Sequence, residues 1–140
     1  MKNKYTQELV RLAAENPDLP VCAMVESDVV CDDSGWWMAS FGQVSVGEVA
    51  AYNERFYDDR ESFKEAYYDD HDEELCEKFQ YDPQADAYYL SRGLCTAEQV
   101  AINNEREMAM DKYLDEIADK YFTKAIIVYV GTPDEFIKEV

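Results

Sequence analysis

The chain has 140 residues, of which 31 are Asp or Glu and 13 are Lys or Arg, giving a formal net charge of −18 at pH 7. Hydrophobic residues make up 47% and aromatics 14%, too many for a disordered acidic tail, so one compact acidic domain over 1–140 is expected. That charge opposes direct binding to DNA, RNA or an anionic membrane, each of which would repel it.

Thr6 to Glu15 reads as a helix, with Leu9, Leu12 and Ala13 on one face, and Asn16-Pro17-Asp18-Leu19-Pro20 stops it. Val21 to Glu26 predicts a short strand, and Asp32-Asp33-Ser34-Gly35 a turn. Trp36 to Phe41 and Val44 to Tyr52 predict two strands, or one long bent one, with Gly42 and Gly47 at a turn or bulge. Arg55 to Tyr57 can add a short strand. From Arg60 the pattern turns helical, with Phe63, Ala66 and Tyr67 on one face. The polar run Asp69 to Glu74 interrupts it, and Asp70 with Glu73 has the spacing to start a second short helix through Phe79. Tyr81 to Gly93 reads as a loop with a strand at Ala87 to Leu90.

Thr96-Ala97-Glu98-Gln99 is a capping box, and a long helix should follow to about Phe122. Its stripe is Val100, Met110, Leu114, Ile117 and Tyr121, weakened by Asn103 and Glu107. Lys124 to Val130 is almost unbroken β-branched and apolar sequence, as a strand covered on both faces would be. A tail helix can follow over Asp134 to Val140. The expected class is α+β: a small, mainly antiparallel sheet packed by helices, with one long helix before a buried C-terminal strand.

Cys22, Cys31, Cys76 and Cys95 are scattered, without zinc spacing or a disulfide pattern, and read as free thiols. No run approaches the roughly 18 apolar residues of a spanning helix, and no apolar signal core follows the first lysines. A cytoplasmic protein is expected. Neither Asp28, Asp32 and Asp33 before Gly35, nor Asp69, His71 and Glu73, matches a calcium loop, and no metal or other cofactor is expected. Hydrolase elbows, phosphate-binding loops and dinucleotide fingerprints are missing, and the chain reads as a non-enzyme. Trp36, Trp37 and Phe41 read as core and its rim, with a ligand platform as the alternative.

The charge is concentrated. From Glu54 to Asp86 there are 13 acidic residues against four basic ones, half of the net charge of the chain. Like charges so close repel one another, so a folded chain that keeps them calls for an offsetting reason. On a helix, Glu61, Glu65 and Asp69 form one file and Asp70, Glu73, Glu74 and Glu77 another, at spacings comparable with phosphates along a strand. Such a surface suits the basic groove of a nucleic-acid-binding protein, with Tyr67 and Tyr68 as rings on which arginine can stack. A solvated helix face with its aromatics in the core is the plain alternative.

The segments ENPDLPV, ESDVVCDDSGWW, FYDDRESFKEAYYDDHDEELCEKF and LDEIADKYFTKAIIVYV resemble small acidic proteins of phages and mobile elements of Gram-positive gut bacteria. Proteins of this size and charge are similar to anti-CRISPR and anti-restriction inhibitors, several of which mimic nucleic acid. That resemblance implies an inhibitor of a basic defence protein, a Cas effector or restriction-type enzyme, with a Cas9-type effector favoured for its positively charged channel. The phosphate-like role falls to Asp58, Asp59, Glu61, Glu65, Asp69, Asp70, Asp72, Glu73, Glu74 and Glu77. Two other classes remain open: an adaptor or regulator of a mobile element binding through an aromatic surface, and a metal-dependent hydrolase.

Overall fold

The computed structural model describes residues 4–26, 29 and 39–131. The Asp32–Gly35 turn, the start of the strand expected from Trp36, the tail helix and Cys31 lie outside the described residues, as do Asp28, Trp36 and Trp37. The chain divides into two compact units, Met1–Asp58 with Phe122–Val140 and Asp59–Tyr121. The first is built on a sheet and the second on helices.

In the sheet unit, α1 (Lys4–Glu15) ends where Asn16 caps it, its backbone N–H and side-chain amide both donating to the Leu12 carbonyl. The strands β1 (Val21–Val25), β2 (Ser40–Tyr52), β3 (Arg55–Tyr57) and β4 (Phe122–Gly131) form a mixed sheet in the order β1-β4-β2-β3. β1 runs parallel to β4, pairing Val21 with Ile126; β2 runs antiparallel to both β4 and β3. β2 is the single bent strand of the two options, its register with β4 slipping between Phe41 and Val44. Gly47 lies so close to Ile127 that an added Cβ would sit 3.3 Å from its Cδ1. Asn53 and Glu54 turn β2 into β3 with φ of 49° and 63°, the left-handed pair that matches strand twist in a two-residue hairpin.

The alternation of β4 puts Ile126, Val128 and Val130 on one face, packed with Val44 and with Leu12 of α1. Ala125 and Ile127 pack with Val49 on the other. Both faces of β4 are buried, as its unbroken apolar sequence requires. Each such side chain contributes about 1.5–3 kcal/mol, which makes β4 the core of its unit.

The helical unit holds α2 (Arg60–Phe79), α3 (Ala87–Ser91) and α4 (Ala97–Tyr121). α4 starts at the predicted capping box: Gln99 N–H donates to Thr96 Oγ1, and Thr96 N–H to Gln99 Oε1. The strand expected at Ala87 to Leu90 is instead α3, begun by Asp86, whose carboxylate accepts the Tyr89 N–H at 3.0 Å. Two tyrosines raised the apparent β-propensity, but an N-terminal cap decides a segment this short. Leu75, Met110 and Leu114 form the core, flanked by Tyr67, Tyr68, Phe79, Tyr81 and Tyr113. Asn103, a weak point in the sequence stripe, is buried and fully used: it accepts from Asp82 N–H and donates to the Asp82 and Ala85 carbonyls. It pins the loop before α3 to α4.

Candidate partner-binding surface

α2 begins where Asp59 accepts the Ser62 N–H at 2.9 Å, and Phe63, wholly buried, anchors its first turns. The interruption expected over Asp69 to Glu74 is a kink at His71, whose φ is −128°. His71 Nδ1 bonds to the Tyr67 carbonyl at 2.9 Å, and its ring stacks on Tyr67 with centroids 4.1 Å apart. A side chain inserted into the helix ladder is a recognised cause of such kinks. The helix ends with Gln80 left-handed and Tyr81 N–H donating back to the Cys76 carbonyl, a Schellman-type stop without glycine.

Three of the residues from Arg60 to Phe79 are cationic, and each has a partner on α4. Arg60 pairs with Asp119 at 2.7 Å. Lys64, only 5% exposed, meets Asp111 at 2.7 Å and Asp115 at 2.9 Å, with Glu61 farther off at 3.5 Å. Burial alone would lower the Lys64 pKa, but hydrogen bonds and charge from Asp111 and Asp115 raise it well above the usual lysine range. Lys78 Nζ stands 3.8 Å from the centre of the Tyr113 ring. The cations of α2 are thereby spent within the unit, while its carboxylates remain outside. Glu65, Asp69, Glu73, Glu74 and Glu77 are exposed and form no ion pair among the described residues. Asp70 and Asp72 are exposed as well, and Asp72 accepts the Glu73 N–H at 2.8 Å.

The expected set is therefore divided. Glu61, Glu65 and Asp69 precede the kink; Asp72, Glu73, Glu74 and Glu77 follow it, so the two files do not continue one straight helix. Asp58 belongs to the sheet unit, where it accepts the Tyr129 hydroxyl at 2.7 Å and holds the pKa of that phenol up. Asp59 is exposed but serves as the cap of α2. Tyr67 and Tyr68 are both half-buried against the Leu75 cluster, with Tyr67 stacked on His71 and Tyr68 OH 3.4 Å from Cys76 Sγ, while one side of Tyr68 lines a groove beside α4. Their pKa values are raised, Tyr67 mainly by burial and Tyr68 mainly by its bond to Cys76.

Sequence reasoning missed Glu107 and Asp111 of α4, which line a groove with Glu61 and Glu65. The signal was present in the i, i+4 run Glu107, Asp111, Asp115 and Asp119, beyond the window in which the charge was counted. Among the described residues no cluster of His, Cys, Asp and Glu could hold a metal ion, and no helix is long and apolar enough to cross a membrane. Cys22, Cys76 and Cys95 are free and half-buried. No protein-family model, curated protein or solved structure matches the chain.

Proposed function

We infer that the chain is a non-enzymatic inhibitor of a basic nucleic-acid-binding protein, with the exposed carboxylates of α2 standing in for backbone phosphates. The observation that carries this reading is the division of charge on α2: its cations are held by α4, and Glu65, Asp69, Glu73, Glu74 and Glu77 are exposed with no ion pair among the described residues. Repulsion among those acids costs stability in the free protein and is relieved when lysines and arginines of another protein approach. A bacterial defence effector of the Cas9 type, acting in the host cytoplasm, has a groove of the required sign. A mobile genetic element would be the natural carrier of such an inhibitor. Asp58 and Asp59, which have structural roles, and Tyr67, which is stacked on His71, contribute less than the sequence suggested.

DNA binding by a Cas9-type effector, measured against increasing inhibitor at about 50 and about 200 mM salt, tests the reading. Inhibition is expected to be strong at low salt and to weaken several-fold at the higher concentration. Absence of inhibition at low salt contradicts it. An adaptor that binds through apolar contacts is the second reading, supported by the exposure of Tyr88 and Leu94 on the helical unit. Its binding would survive Lys substitutions from Glu61 to Glu77.

A further inference from the structure

Residues four apart on a helix share a face. α4 presents Glu107, Asp111, Asp115 and Asp119 at that spacing, and α2 presents Arg60, Lys64 and Tyr68. Arg60 meets Asp119, and Lys64 meets Asp115 and Asp111. At the following step α2 offers Tyr68 in place of a cation, and Glu107 forms no ion pair among the described residues. Here the seam opens into a groove of about 360 Å³, with the Lys64–Asp111 pair at its side and Glu61, Glu65 and Glu107 on its walls, so that carboxylates outnumber the one cation. Tyr68, Met110 and Leu114 supply its apolar lining.

This mixture is specific in its chemistry. A simple metal cation would gain nothing from the apolar lining, and an apolar ligand would leave the carboxylates beside it unpaired. An arginine side chain satisfies both, with its methylenes against Met110 and Leu114 and its planar fork between carboxylates and tyrosine rings. The same seam already holds a cation over an aromatic ring, Lys78 over Tyr113. We propose that the groove receives an arginine side chain of the partner protein, continuing the row of ion pairs that Arg60 and Lys64 begin. For the identity of that partner the proposal rests on the inhibitor reading.

The test uses the full chain and N-acetyl-arginine methylamide as probe, followed by backbone amide shifts at low salt. The expected result is a saturable shift at Tyr81, Glu107 and Met110, with the lysine counterpart binding more weakly. Glu107→Gln, a change at an exposed position, weakens binding about tenfold, the scale of one charge-assisted hydrogen bond. The double variant Asp18→Asn/Glu48→Gln, at exposed positions of the sheet unit, leaves it unchanged. Shifts that do not saturate, spread over the acidic surface and are equal in both variants overturn the proposal. Saturable binding by a protein that leaves effector–DNA binding untouched supports the groove and overturns the inhibitor reading. Inhibition with no saturable shift, undiminished by Glu107→Gln, does the reverse.

Discussion

The sheet unit and the helical unit solve opposite problems. Residues 1–58 and 122–140 carry 13 acids against six bases, a balance of −7; residues 59–121 carry 18 against seven, or −11 in a shorter stretch. The described buried side chains of the sheet unit are all apolar, whereas Lys64 and Asn103, the two buried polar ones, belong to the helical unit. A strand such as β4 stabilises its unit by removing hydrocarbon from water, independently of pH and salt over a wide range. The helical unit relies more on caps, ion pairs and a buried amide. It keeps its charge outside and uses its polar groups to hold the inside together. Like charges kept on one unit at a cost in stability support the proposal that α2 is a contact surface.

Removing the main support of each unit should unfold the two in different ways. Ile126→Ala, at the centre of β4, is expected to cost about 2–5 kcal/mol in denaturant unfolding. Asn103→Ala should cost about 1–3 kcal/mol, because the Asp82 and Ala85 backbone groups lose their partner. Hydrogen exchange should then speed up first at Asp82, whose N–H is held by Asn103, before it does in β4. Lys64→Gln should cost less, about 1 kcal/mol, since Asp111 and Asp115 are half exposed and can be rehydrated.

The pH dependence of that last contribution follows from the direction of its shift. A lysine whose pKa is raised in the folded state contributes fully below its ordinary pKa. The contribution is lost as pH climbs past that value toward the folded one, so wild type and Lys64→Gln should converge in stability only in strong alkali. The smallest effect is expected at the hairpin, where Glu54→Gly should stabilise by about 0.5–1 kcal/mol by relieving a left-handed φ. A thermal melt raised by a few degrees would register it.

How far the fold can be read ahead depends on what each segment needs. β4 was legible because burial on both faces demands unbroken apolar sequence, and α4 because a capping box states its own first turn. α3 was not, because five residues carry too little periodicity and Asp86 alone marks the start. The acidity of α2 was plain in its composition, but the destination of its cations was not. Only the packing of α2 on α4 reveals that Arg60, Lys64 and Lys78 turn toward α4, and the same packing half-buries Tyr67 and Tyr68.

A matched removal of charge from the two units separates mimicry by α2 from the effect of overall charge. Glu65, Asp69, Glu73 and Glu77 on α2 would be changed to their amides in one variant, and Asp18, Glu26, Glu48 and Glu54 of the sheet unit in another. Each would then be titrated against DNA binding by a Cas9-type effector. Both variants lose the same formal charge from exposed positions. The predicted result is that the α2 variant no longer inhibits while the sheet-unit variant inhibits like the wild type; equal loss in both, or no loss in either, would contradict it.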